Sequence, residues 1–75
     1  MTRKEFLAAV DEILELPRGT LQGPEKLEEY YLWDSSAVVS FMALADSNNG
    51  VRIAPRDLSS CETVNDLLLA AKVET

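Results

Sequence analysis

Residues 32–42 read LWDSSAVVSFM, in which an aromatic residue and an Asp-Ser pair lead into a long apolar run. Asp and Ser commonly begin helices, because their side-chain oxygens accept hydrogen bonds from the amides of the first turn. The run therefore predicts a helix that begins at Asp34 and Ser35. The Ser35 hydroxyl should then face solvent in the first turn, where free amides and the helix dipole favour an anion such as a phosphate ester.

The same helix is predicted over residues 35–48 and should close at Asn49 and Gly50 with a left-handed cap. Its larger apolar side chains share one face of a helical wheel: Val38, Phe41, Met42 and Ala45. The opposite stripe is small and uncharged: Ser36, Ser40, Ala43 and Ser47. This composition leaves two interpretations open, a helix buried on most sides or a smooth docking surface for a protein partner.

A helix upstream is predicted from the capping-box pair Thr2 and Glu5. Its apolar side chains recur with helical spacing: Phe6, Leu7, Val10, Ile13 and Leu14. The acidic side chains are assigned to the opposite, solvated face: Glu5, Asp11, Glu12 and Glu15. Because Pro17 disfavours helical geometry at the residue before it, this helix should end near Leu16.

Residues 17–33 contain prolines and glycines and predict a long, ordered connection between the first two helices. Leu21 and Leu27 should attach it to the core, and residues 25–30 could form a helical turn. Leu32 or Trp33 should pack against the core and so fix the start of the second helix.

The last third of the chain predicts two further helices. Val51 and Ile53 flank Arg52 as apolar side chains of an extended segment, and Pro55 favours one short helical turn over residues 55–58. Thr63 and Asp66 predict a capped last helix. Its core face should comprise Val64, Leu67, Leu68 and Ala71. We therefore expect one all-α domain over residues 1–75, a four-helix bundle with a short third helix and a long loop between the first two.

The charge and composition disfavour several kinds of binding partner and cellular location. Thirteen acidic and seven basic residues give a net charge of -6, which disfavours binding to nucleic acids or anionic membranes and favours partners with basic patches. A single cysteine, Cys61, cannot form an internal disulfide and fits a reducing compartment. The sequence contains no apolar run of transmembrane length and no signal-peptide pattern. We expect a cytoplasmic monomer.

Catalysis by the chain itself is not expected. With no histidine, neither a Ser-His nor a Cys-His pair is possible, and a single thiol provides no soft-ligand set for zinc. Acidic neighbours such as Asp11 and Glu12, or Glu28 and Glu29, should be solvated, because adjacent helical residues do not converge on one substrate. Cys61 should be a small, partly buried thiol near the last helix.

The order of these features resembles the acyl carrier proteins of the phosphopantetheine-binding family. The matching segments are Asp34 with Ser35, residues 50–53 and residues 63–67, and the resemblance spans nearly the whole chain. It implies that Ser35, next to the motif residue Asp34, is esterified by 4'-phosphopantetheine, which a separate phosphopantetheinyl transferase takes from coenzyme A with magnesium. The thiol of that arm would carry an acyl or aminoacyl group as a thioester between loading and processing enzymes.

Several positions differ from the carriers of fatty acid biosynthesis. Ser36 stands where the family usually has leucine, Trp33 replaces a small residue, and Ala37, Ser40 and Ala45 replace positions that are often acidic. We therefore expect a stand-alone carrier of a specialised pathway, which could produce a secondary metabolite, a polyketide or a cell-surface component. Its partners should recognise it more by shape than by charge. The expected docking residues are Ser36, Val39, Ser40 and Ala43. The alternative is a small helical adaptor that docks through its second helix, with Ser35 only a helix cap.

Overall fold

The computed structural model describes residues 2–73, where the first helix, α1, spans Arg3–Ile13. The predicted capping box begins it: the Thr2 hydroxyl accepts from the Glu5 amide at 3.2 Å, and the Glu5 carboxylate accepts from the Thr2 amide at 2.9 Å. The predicted end near Leu16 is wrong by three residues. Glu15 adopts a left-handed φ of 57°, and the Leu16 amide donates back to the Asp11 carbonyl at 2.8 Å, so a Schellman-type turn closes the helix before Pro17 can act.

The prediction that Asp11 lies on the solvated face of α1 is also wrong. Its side chain is only 1% exposed. One carboxylate oxygen accepts from the Gly19 amide at 2.9 Å and the other from the Leu21 amide at 3.0 Å. A buried carboxylate is tolerated when backbone donors satisfy it, and here those donors belong to the connection that follows α1. Asp11 therefore attaches the connection to the helix.

The connection is ordered and packed as the sequence predicts. Leu21 and Leu27 are buried, and a 3₁₀ turn covers Leu27–Glu29, within the predicted helical turn. Residues 23–27 also run antiparallel to residues 62–65, a pairing that the sequence did not indicate. Its backbone hydrogen bonds join the Leu27 amide to the Glu62 carbonyl, the Val64 amide to the Glu25 carbonyl and the Asn65 amide to the Gly23 carbonyl, at 2.9, 3.0 and 2.8 Å. We call this contact the loop pairing.

The second helix, α2, spans Ser35–Asn49, one residue longer than predicted. Asp34 caps its start, and Gly50 ends it in the left-handed conformation, with φ of 65°, as the Asn-Gly pair indicated. Its predicted core face is correct, since Phe41 and Ala45 are buried and Val38 and Met42 are half-buried. This helix therefore presents its opposite side to solvent.

A short helix, α3, spans Pro55–Ser59 with proline at its first position, and α4 spans Val64–Ala70. Thr63 and Asp66 form the predicted capping box at the start of α4. All four predicted core residues of this last segment are fully buried: Val64, Leu67, Leu68 and Ala71. The Asn49 side chain donates to the Ala71 carbonyl at 3.1 Å and so joins the ends of α2 and α4.

These elements form a small all-α bundle in residues 2–73, three longer helices and a short third one around a single apolar core. Phe6 of α1 and Phe41 of α2 meet edge to face at the centre of the core, with ring centroids 6.3 Å apart. None of the helices in this part of the chain has the length and apolar character needed to span a membrane. The bundle leaves the start of α2 at its surface.

Candidate functional site

The residue that caps α2 is Asp34. Its backbone is extended, its carboxylate accepts from the Ala37 amide at 3.0 Å, and its carbonyl accepts the first helical bond from Val38 at 3.0 Å. Ser35 is consequently the first helical residue. The interpretation of Ser35 as the helix cap is therefore wrong.

The Ser35 side chain is exposed, and its hydroxyl has no hydrogen-bond partner within residues 2–73. The amides of Ser35 and Ser36 lie too early in the helix to have helical acceptors, whereas the Ala37 amide is already bound to Asp34. The hydroxyl thus has no structural role, and it stands beside free donors at the positive end of a helix of 15 residues. This is a favourable environment for a phosphate ester on Ser35.

Trp33 holds this end of α2 against the core. Its indole meets the Phe41 ring edge to face, with centroids 6.3 Å apart and an angle of 74° between the planes. The Trp33 amide also donates to the Tyr30 carbonyl at 2.9 Å. The prediction that Leu32 or Trp33 packs is confirmed, since both are half-buried, while Tyr31 is 89% exposed. A rigid aromatic support therefore precedes a solvent-exposed serine.

An open cleft of about 470 Å³ lies beside the start of α2 and reaches to α3. Its apolar walls are formed by Leu27, Trp33, Val38, Leu58 and Cys61. Three charged side chains also line it: Lys26, Glu28 and Glu62. Because Trp33 and Val38 flank Ser35 in the sequence, a group attached to the Ser35 hydroxyl has an apolar surface close by.

The four predicted docking residues, Ser36, Val39, Ser40 and Ala43, are all exposed on α2. Val39 is 64% exposed and is the large apolar side chain of this face. The interpretation of α2 as a helix buried on most sides is therefore wrong. Three of these four residues are small and none is charged, so a partner can approach this part of α2 closely; Asp46, farther along the helix, is an exposed acidic residue.

Cys61 is half-buried in the cleft wall, as predicted, with its sulfur 3.4 Å from the Asp57 carbonyl oxygen. Burial raises the pKa of the thiol above its usual value, and the nearby carboxylates of Asp66 and Asp57 raise it further. Since the thiolate is the nucleophilic form, these surroundings lower the reactivity of Cys61 at neutral pH.

Two carboxylates outside the cleft hold the connection in place in a way that the sequence did not indicate. Glu25 accepts from the amides of Gln22 and Gly23, both at 2.8 Å; burial alone would raise its pKa, but these hydrogen bonds lower it below its usual value. Asp11 is the other. The position of Asp11 within the apolar stripe of α1, four residues after Leu7, was a usable signal, whereas nothing local marked Glu25.

Comparisons with known proteins identified no relative of this chain. No family model matches the chain, and neither a curated protein nor a solved structure was found to match it. The function is therefore argued from the geometry around Ser35. Within residues 2–73 no three His, Cys, Asp or Glu side chains are grouped so as to hold a metal ion.

Proposed function

We propose that this chain is an acyl carrier protein with 4'-phosphopantetheine esterified to Ser35, and that it delivers acyl or aminoacyl thioesters to biosynthetic enzymes. The observation that carries the proposal is that the first two residues of the helix start have different roles. Asp34 caps α2, whereas Ser35 is exposed and has a free hydroxyl. A serine that does not stabilise its own helix is available for modification. The resemblance of the sequence to carrier proteins supports the same conclusion.

The residues around Ser35 fit a phosphodiester. In the transfer, the Ser35 oxygen would form a bond to the pantetheine-bearing phosphorus of coenzyme A as the pyrophosphate bond breaks, 3',5'-adenosine bisphosphate would leave, and the hydroxyl proton would pass to the transferase or solvent. The new phosphodiester would then lie next to the free amides of Ser35 and Ser36. The Asp34 carboxylate is turned toward the Ala37 amide by its cap hydrogen bond. When bound, the arm supplies a terminal thiol that holds the cargo as a thioester.

The cleft beside Trp33 offers a resting place for the arm or its cargo. Its walls combine apolar side chains with the charged side chains of Lys26, Glu28 and Glu62, and its volume of about 470 Å³ lies in the range of small-ligand sites. Cys61 lines this cleft, and burial raises its pKa, which lowers the fraction of reactive thiolate and so disfavours transfer of a nearby thioester onto the protein. The cleft is thus compatible with a bound thioester.

We also propose that partner enzymes dock on the exposed side of α2, through Ser36, Val39, Ser40 and Ala43. This surface is uncharged and next to Ser35, so a partner that covers it has the arm at its edge. Recognition would depend on shape around Val39 more than on charge. Within this proposal, the four helices have the arrangement of an acyl carrier protein, and the pathway is a specialised one.

The test is modification by a broad-specificity phosphopantetheinyl transferase with coenzyme A and magnesium, followed by intact-mass measurement. We expect the wild-type chain to gain one phosphopantetheine group and Ser35→Ala to gain none. Ser36→Ala is the matched control, because Ser36 is the adjacent exposed serine and should not be needed. Failure of the wild-type chain to be modified, or modification of Ser35→Ala, would contradict the proposal.

The adaptor hypothesis retains one favourable observation, the exposure of Val39 among small residues. An adaptor would bind its partners without the arm. Partner binding that persists fully in Ser35→Ala and is lost in Val39→Glu, in a protein that the transferase does not modify, would therefore favour this second function.

A further inference from the structure

Two exposed apolar side chains flank Ser35. Residues 2–73 expose three large apolar side chains: Tyr31 at 89%, Leu69 at 65% and Val39 at 64%. Tyr31 lies four positions before Ser35 and Val39 four positions after it. Because four residues span at most about 14 Å, both lie close to the Ser35 hydroxyl. Single exposed apolar residues are common, but a pair centred on one serine indicates a contact surface around that serine.

The backbone holds Tyr31 in place while its side chain projects into solvent. The Trp33 amide donates to the Tyr30 carbonyl at 2.9 Å, so residues 30–33 form a turn with Tyr31 at its second position. The residues on either side, Tyr30 and Leu32, are half-buried against the core. Since this backbone is already ordered, a partner that binds the ring of Tyr31 pays little for ordering the segment.

Acidic side chains outnumber basic ones around this turn. Residues 25–36 contain four acids and one base, Lys26, and residues 55–62, which include the opposite wall of the cleft, contain two acids and one base, Arg56. Burial raises the pKa of Tyr30, and the charges that raise it further are all carboxylates: Glu25, Glu29 and Asp11. A partner surface that faces this turn is therefore favoured if it is basic.

We propose, on the basis of the function proposed for Ser35, that the phosphopantetheinyl transferase recognises this chain through Tyr31 and Val39, with the Tyr31 ring in an apolar pocket rimmed by basic side chains. The transferase is the partner that must meet these residues, because its reaction needs the Ser35 oxygen itself. Enzymes that act on the cargo meet the far end of the arm instead. A standard interface covers about 800 Å² of each partner, a radius of about 16 Å, which includes both side chains.

The two contacts differ in chemistry. Tyrosine is among the residue types that contribute most to interfaces, because its rigid ring buries a large apolar area while its hydroxyl can stay hydrated. The basic rim matches the exposed carboxylates of Glu28 and Glu29, close to Tyr31 in the chain. Val39 lies among small uncharged residues of α2, where no charged contact is expected. Recognition thus combines two apolar contacts with charge on the Tyr31 side only.

The experiment measures kcat and KM for modification of the full chain by the broad-specificity transferase with coenzyme A and magnesium. Tyr31→Ala should raise KM for the carrier about tenfold and change kcat by less than about twofold, because a contact shared by the ground and transition states is lost. Tyr31→Phe keeps the ring and should retain a KM near that of the wild type. Val39→Ala removes a smaller area and should raise KM about threefold. Leu69→Ala, at an equally exposed apolar position on α4, is the matched control and should change KM by less than about twofold.

Two charge reversals test the basic rim. Glu29→Lys should raise KM about threefold or more and make KM less sensitive to salt, because an attractive contact becomes repulsive. Glu12→Lys makes the same charge change at an exposed position on α1 and should raise KM by less than about twofold. Circular dichroism of all variants establishes that they remain folded.

The possible failures are distinguishable. If the wild-type chain is modified but Tyr31→Ala or Val39→Ala has the KM of Leu69→Ala, recognition through this pair is overturned while Ser35 remains the attachment site. A KM for Tyr31→Phe as high as that of Tyr31→Ala also overturns it, since the ring would not be the contact. Equal effects of the two charge reversals overturn the basic rim. A wild-type chain that is not modified at all overturns the proposed function, and the recognition with it.

Discussion

The starts of α2 and α4 use the same local chemistry and have opposite surroundings. Each helix is capped by a short oxygen-bearing side chain, Asp34 for α2 and Thr63 for α4, that accepts from the third amide of its helix. At α4 the loop pairing covers the cap, and the Asp66 carboxylate accepts hydrogen bonds from the amides of Glu62 and Thr63 at 2.9 and 3.1 Å. Within residues 2–73 nothing comparable covers the α2 cap, and the Ser35 side chain is exposed.

This difference shows that the segments packed against a helix start decide whether its residues make structural contacts or remain exposed to solvent. The residue three positions after the cap is Asp66 in α4 but Ala37 in α2, so only α4 can form the reciprocal capping box. The start of α2 is instead stabilised on its core-facing side, where the Trp33 ring packs against the Phe41 ring. Its outward side is thus left free for a covalent group.

The largest expected effect comes from breaking the support of α4 with Gly23→Ala. Gly23 has a φ of 128°, and an added Cβ would collide with the side chains of Asn65 and Arg3. We expect a loss of about 3 kcal/mol in the free energy of unfolding, measured with urea, because backbone strain and a steric clash coincide. Gly19→Ala is the control: its φ is 91° but the space around it is open, so about 1 kcal/mol is expected. Equal losses would contradict the role of the loop pairing.

The second prediction concerns the contact between the Asp11 carboxylate and the connection that follows α1. Asp11→Ala should cost about 2 kcal/mol of unfolding free energy, because the amides of Gly19 and Leu21 lose a charged acceptor. Glu12→Ala, at an exposed position on the same helix, should change it by about 0.5 kcal/mol or less. Thermal unfolding of both variants measures the difference. If Glu12→Ala proves as costly as Asp11→Ala, the attachment of the connection to α1 has been misassigned.

Much of the fold could be predicted from local sequence, and the deviations have a common cause. The caps at Thr2 and Thr63, the Gly50 end of α2 and its core face follow from spacing and capping chemistry alone. The position of Asp11 within the apolar stripe of α1 could have indicated its burial, but its hydrogen-bond donors could not be predicted, because they lie in the loop eight and ten residues later. The loop pairing joins segments about forty residues apart, and no periodicity marks such contacts.

The candidate site likewise has features that local sequence predicts and features that it does not. The exposure of Ser35 and of the docking residues follows from the position of the helix start and from the helical wheel. The assignment of the cap to Asp34 and not to Ser35 needed coordinates, because both residue types cap helices equally well. The cleft also needed them, since its walls come from the 3₁₀ turn, α2 and α3.

Acid should weaken the α4 start and the adjoining turn that Glu25 holds. Backbone hydrogen bonds from Glu62 and Thr63 lower the pKa of Asp66, and those from Gln22 and Gly23 lower the pKa of Glu25 despite its burial. A lowered folded-state pKa gives stability that is present above the unfolded-state pKa and lost as the pH falls through the folded-state value. We therefore expect stability to decline as the pH falls below about 4.5, the ordinary Glu value.

Amide hydrogen exchange over this pH range would show whether the α4 start and the loop pairing open as the pH falls. Glu25→Gln should make the decline shallower, because one of the titrating acceptors is removed. Glu12→Gln should leave the slope of the decline unchanged, since the Glu12 side chain is exposed and makes no hydrogen bond within residues 2–73. A steeper decline in Glu25→Gln would reverse the assigned sign.

The smallest expected effect is the most informative about function. Asp34→Ala should cost about 1 kcal/mol, as should Thr63→Ala, because each removes a cap. Ser35→Ala should leave urea unfolding unchanged within error, since the Ser35 hydroxyl contacts no partner within residues 2–73. Were Ser35→Ala as costly as Asp34→Ala, the hydroxyl would belong to the structure of the helix. A nearly silent substitution that also abolishes phosphopantetheine attachment would separate the two roles, with folding carried by Asp34 and modification by Ser35.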